Sequence, residues 1–129
     1  VSYSGKRGVT KDCVQQVKQF IQNNPELGAE LDLRMIQASQ FGEMALMQPN
    51  LTFQQRHENL LKSIQLGNSC FESWGLNSQA PRQHMDKLLK LGALAVKPTG
   101  SGDGGFVLSY WPQSVNLTNI MDIDFLNCF

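Results

Sequence analysis

The sequence predicts an α+β domain in which helices pack on one face of a small, mainly antiparallel sheet. Three observations lead there. Strand-forming residues open the chain at Val1–Ser4 and stop at Gly5. Stretches with apolar residues at helical spacing then fill positions 10 to 92. Two strand-like segments, Ala93–Lys97 and Phe106–Trp111, follow on either side of a glycine-rich turn. Strand, helices, then strands is the order of a layered α+β domain in which helices outweigh strands.

Each element has a local reason. Gly5 to Gly8 is a short basic loop carrying Lys6 and Arg7. Thr10 reads as the N-cap of a first helix, because Val14, Val17, Phe20 and Ile21 follow at helical spacing. Asn23-Asn24-Pro25 ends it. A second helix runs from about Glu26 to Gln48 on an apolar stripe that includes Leu31, Ala38 and Ala45, with Gly28 and Gly42 as weak points. Thr52 and Gln55 form a capping box for a third helix. Phe53, His57, Leu60, Ile64 and Phe71 share one face of it, and it ends near Trp74-Gly75. Ser78 to Pro81 starts a fourth, with Pro81 in the first turn, Met85 and Leu88 inward, and Gly92 as the stop. Phe106, Leu108 and Tyr110 alternate along the last clear strand, and Pro112 closes it. Residues 112–129 are an unassigned tail with one short strand expected near Ile123–Leu126.

The chain of 129 residues is one domain long, and 41% hydrophobic with 17% charged residues is a globular composition. Eleven basic and eleven acidic residues cancel, which argues against a general nucleic-acid binder. No apolar run approaches the roughly 20 residues that span a bilayer, and no signal peptide opens the chain. A start at Val1 is expected of a chain that is processed or cut from something longer. Cys13, Cys70 and Cys128 lie far apart without CxxC spacing, so three reduced thiols in a cytoplasmic protein are expected, and no zinc site. The triplets Asn50-Leu51-Thr52 and Asn116-Leu117-Thr118 read as turn and cap residues.

The segment Gly100-Ser101-Gly102-Asp103-Gly104-Gly105 holds four glycines in six positions, more than a hairpin turn requires. Extra glycines let backbone approach a ligand, and successive free N–H groups bind anions. A long glycine hairpin without a ligand accounts for the segment equally well. It is neither a Walker loop nor a dinucleotide fingerprint, because no Gly-Lys-Ser/Thr ends it and a strand, not a helix, follows.

The stretch from Gly92 to Gly105 closely resembles the C-terminal glycine motif of the GHMP small-molecule kinases, and above all that of mevalonate kinases, which reads like GALGAKLTGAGGGG. Ser4-Gly5-Lys6-Arg7-Gly8-Val9-Thr10-Lys11 resembles the family's strand, glycine loop and Thr-Lys helix start. The resemblance runs from about Tyr3 to Trp111. It implies a ferredoxin-like C-terminal domain and, in the intact enzyme, transfer of the ATP γ-phosphate to the hydroxyl of mevalonate, with Mg²⁺, in isoprenoid precursor synthesis. The family's N-terminal phosphate loop, PxxxGLGSSA-like, is absent here. ATP, Mg²⁺ and the catalytic carboxylate are therefore expected on a missing N-terminal kinase domain, and this chain alone is expected to lack activity.

The same resemblance places residues 100–105 near the transferring phosphate, with Thr10, Lys11 and Lys97 close to a small-molecule alcohol substrate. Thr10 as a plain cap and Lys11 as a solvated lysine remain open. Asp103 and Pro98 depart from the family pattern. A carboxylate beside phosphates must point away or meet a cation, and aspartate also suits left-handed backbone. The departures leave phosphomevalonate and homoserine as alternative acceptors. His57 and His84 read as core or boundary histidines without metal-ligand spacing, and Trp74 and Trp111 as packing residues.

A non-catalytic α+β interaction or small-ligand-binding module is the rival from another class. It is expected to be a monomer with a polar surface. The kinase fragment is expected to expose an apolar docking face, and with it a tendency to form homodimers. Neither reading involves nucleic acid or a membrane.

Overall fold

Two long helices form the platform of the fold. The computed structural model describes residues 1–127, so Cys128 lies outside the described residues. Helix α1 spans Thr10–Asn23, α2 Pro25–Met47, α3 Phe53–Ser73 and α4 Gln79–Lys90. Strand β1 is Ser2–Tyr3, β2 is Ala95–Pro98 and β3 is Phe106–Tyr110. The sheet is antiparallel in the order β1-β3-β2.

The boundaries follow local chemistry. Pro25 occupies the first turn of α2, where its missing N–H costs nothing. The capping box forms in full: Thr52 Oγ1 accepts from the Gln55 N–H at 3.2 Å, and Gln55 Oε1 accepts from the Thr52 N–H at 2.9 Å. Ser78 precedes α4, with Pro81 buried in its first turn. Pro98 falls inside β2, one residue beyond the expected end. The position is permitted because β2 is an edge strand.

Helices α2 and α3 pack antiparallel. Arg56 donates to the Ala45 and Gln48 carbonyls near the connecting loop, and the Cys70 thiol meets the Leu31 carbonyl at 3.6 Å at the far end. Gly28 and Gly42 do not break α2. Gly42 lets the helices approach, since a Cβ there would lie 2.9 Å from Ser63 Oγ.

The helices divide between the two sheet faces, which corrects the expected one-face layer. Val96 and Val107 pack with Met85 and Leu88 of α4, and Ser2 Oγ lies 2.8 Å from His84 Nε2 on the same side. Lys97 and Tyr110 project to the opposite face, where they meet α3 at Gly67 and His57. Alternation along a strand requires this split once both faces carry apolar residues.

The tail differs from expectation. In place of a strand at Ile123–Leu126, the described residues show one isolated bridge, Ser2 to Phe125. Asn116 caps a single 3₁₀ turn, Leu117–Asn119, by accepting from the Thr118 N–H at 3.1 Å. Among the described residues, no helix is long and apolar enough to cross a membrane.

Thr52→Ala removes one half of the capping box. It is expected to lower stability by about 1 kcal/mol, read as a lower urea midpoint with an unchanged slope.

Candidate functional site

The glycine loop lies flat on the segment that follows β1. The Gly105 N–H donates to the Lys6 carbonyl at 2.6 Å, and the Ser4 N–H donates to the Gly105 carbonyl at 2.8 Å. A Cβ on Gly104 would lie 2.6 Å from the Gly8 nitrogen and 2.7 Å from the Lys6 oxygen. On the other side Gly102 rests on Phe71 and Leu76, 2.8 and 3.0 Å from where its Cβ would be. Much of the glycine content thus serves contact between backbone and the chain's own atoms.

Asp103 locks the arrangement. Its backbone is left-handed, with φ +55°, a conformation aspartate tolerates. Its carboxylate accepts from Lys6 Nζ at 2.8 Å and from the Ser78 N–H at 3.2 Å, and its own N–H donates to the Leu76 carbonyl at 2.7 Å. Burial opposes ionisation of this carboxyl, but the hydrogen bonds from Lys6 and Ser78 outweigh it and hold the group below the usual aspartate range. The Asp103 carboxylate is therefore turned toward Lys6 and Ser78, with its charge paired.

Thr10 is the first residue of α1. Val9 holds the cap position without a side-chain cap bond, which corrects the expected Thr10 cap. The Thr10 hydroxyl instead accepts from Ser101 Oγ at 3.3 Å, although the two residues are 91 positions apart. The N–H groups of Gly100 and Ser101 have no acceptor among the described residues. The Thr10 and Ser101 hydroxyls thus meet at the first turn of α1, and the same loop carries the N–H groups of Gly100 and Ser101. A mainly apolar groove of about 510 Å³ adjoins it, lined by Val14, Val17, Ile21, Trp74 and Leu76 as well as Gly100 and Ser101.

The remaining sequence-predicted residues lie elsewhere. Lys11 is exposed and forms no ion pair among the described residues. Lys97 lines a different cavity, under α3. His57 Nδ1 lies 2.9 Å from the Tyr110 hydroxyl, and burial, with Lys87 adding to it, holds His84 below the usual histidine range. Sequence reasoning missed Ser78 and Cys13 as parts of this site; Cys13 is buried under the loop, its thiol 3.6 Å from the Gly102 carbonyl. Only the weak signal of Lys6 in a basic loop pointed toward the bracket around Asp103.

Donors of this kind suit an anion. They do not suit Mg²⁺, which takes oxygen ligands such as carboxylates, because Asp103 is committed to Lys6 and Ser78. No group of three metal-ligating side chains occurs among the described residues.

Comparison with models of known families, with curated proteins and with solved structures returned no match.

Two expectations follow. Gly100→Ala meets open space at φ +60°, so it should cost about 1 kcal/mol of backbone strain. Gly104→Ala forces overlap with backbone and should cost at least about 2 kcal/mol more, by thermal denaturation. Asp103→Asn retains the tolerated left-handed backbone but loses the charge. Because the folded carboxyl titrates below its unfolded value, its contribution is present above the ordinary aspartate pKa and is lost as pH falls below it. The variant should be about 1 kcal/mol less stable at neutral pH, a figure kept small because Lys6 is partly exposed. The gap should close in acid.

Proposed function

We propose that this chain is the C-terminal domain of a GHMP-type kinase that moves the ATP γ-phosphate to the hydroxyl of mevalonate. The observation that carries this reading is the meeting of Ser101 and Thr10, 3.3 Å apart, from the two segments that carry the family resemblance. Phosphoryl transfer asks mainly for positioning and for stabilisation of phosphate charge. The N–H groups of Gly100 and Ser101 and the two hydroxyls are donors fit for that role. The Lys6 ammonium paired with Asp103 offsets the repulsion its carboxylate would exert on a phosphate. ATP, Mg²⁺ and the proton-accepting carboxylate belong, in this reading, to an N-terminal kinase domain, where Mg²⁺ would supply neutralisation of phosphate charge. Phosphomevalonate and homoserine are the alternative acceptors.

One observation favours a non-catalytic module instead. Close packing within the chain accounts for Gly102 and Gly104, so these two glycines require no ligand to explain them.

The deciding experiment follows ADP release by the chain combined with an ATP-binding partner domain, offered mevalonate, phosphomevalonate, homoserine and galactose in turn. Turnover with mevalonate alone is expected. Thr10→Ala and Ser101→Ala should each then lower kcat by about 100- to 1,000-fold, as loss of a charge-stabilising donor does. A folded complex inactive with all four acceptors would overturn the kinase reading in favour of the module.

A further inference from the structure

A second cavity, of about 430 Å³, lies between α2, α3 and the sheet face bearing Leu108 and Tyr110. Small residues create it: Ala38 and Gly42 on α2 face Ser63 and Gly67 on α3. The walls are otherwise largely apolar, and among the described residues no carboxylate side chain lines them. Among the described residues, Lys97 is the one charged side chain in this lining.

The lysine is held there by an absent side chain, since a Cβ on Gly67 would lie 3.2 Å from Lys97 Cε. Its ammonium donates to the Pro98 carbonyl at 2.9 Å and sits 5.4 Å from the centre of the Phe71 ring. An ammonium has three N–H donors. No ion pair among the described residues neutralises this one. Burial weakens its hold on the proton and lowers its pKa from the ordinary lysine value. A half-buried cation without a carboxylate is costly, and an apolar residue at this strand position would pack without that cost.

We infer that this cavity binds an amphipathic monoanion, a medium-chain carboxylate whose hydrocarbon chain lies between α2 and α3 and whose head group pairs with Lys97. A few hundred Å³ of mainly apolar lining with a few polar groups is the usual form of a small-molecule site. The one side-chain cation, next to the Pro98 carbonyl, matches one negative charge, while the Val1 ammonium in the same lining donates to the Leu126 carbonyl; a phosphate dianion would exceed the charge that Lys97 supplies. The site is separate from the groove at Gly100 and Ser101 and does not depend on the kinase reading.

Calorimetric titration of the full chain with decanoate, decanol, decylamine and decyl phosphate tests it. Decanoate should bind at least about tenfold more tightly than decanol, as a charge-assisted pair requires, and decylamine should not bind. Lys97→Met should lose about tenfold or more in decanoate affinity and keep its decanol affinity. Should that variant fail to fold, the Lys97 side-chain resonances of the wild-type protein provide the second readout: bound decanoate should raise the lysine pKa. Equal affinity for decanoate and decanol, tighter binding of decyl phosphate, or an unmoved lysine pKa overturns the inference.

Discussion

The candidate site depends on the bracket around Asp103. One carboxylate joins Lys6 of the loop after β1 to the N–H of Ser78 ahead of α4, while the backbone of the same residue reaches Leu76. Three segments far apart in sequence are tied through this residue. The ion pair is partly exposed and contributes modestly by itself. Its structural weight comes from geometry. With Asp103 left-handed and Gly104 pressed against Gly8 and Lys6, the hairpin cannot lift away from the sheet, and Ser101 is delivered to the start of α1.

Helix α3 supports both candidate sites. Phe71 lies against Gly102, and the ammonium of Lys97 lies over its ring. One aromatic side chain therefore forms part of the floor of the loop and part of the environment of the lysine. Further along the same helix, Gly67 makes room for the lysine stem and Ser63 meets Gly42. The close approach of α2 and α3 leaves space beside the sheet, and that space is the cavity beneath Leu108. Packing of the two long helices and the shape of the cavity are one constraint seen from two sides.

How much was legible depends on how local the cause was. The capping box at Thr52 and Gln55 was readable because both partners lie within one turn. The helix stops at Asn24-Pro25 and Gly92, and the glycine loop between two strands, were readable for the same reason. Thr10 was misread as a cap because its partner, Ser101, is 91 residues away. The Ile123–Leu126 segment was expected as a strand, but among the described residues it shows one isolated bridge, to β1, because strand formation depends on a partner the local sequence does not specify. The glycines of α2 weakened a helix on paper, but contact with α3 outweighs propensity.

Sequence alone determined the α+β class of this fold, its four helices, and the glycine loop between β2 and β3. These depend on periodicity, caps and turn residues, whose energies arise between near neighbours. Tertiary structure alone decided which face of the sheet each helix takes, that Asp103 turns toward Lys6, and that Lys97 turns under α3 into an apolar cavity. A side chain's charge is written in the sequence, but the dielectric and the partners around it are set by segments that meet only on folding.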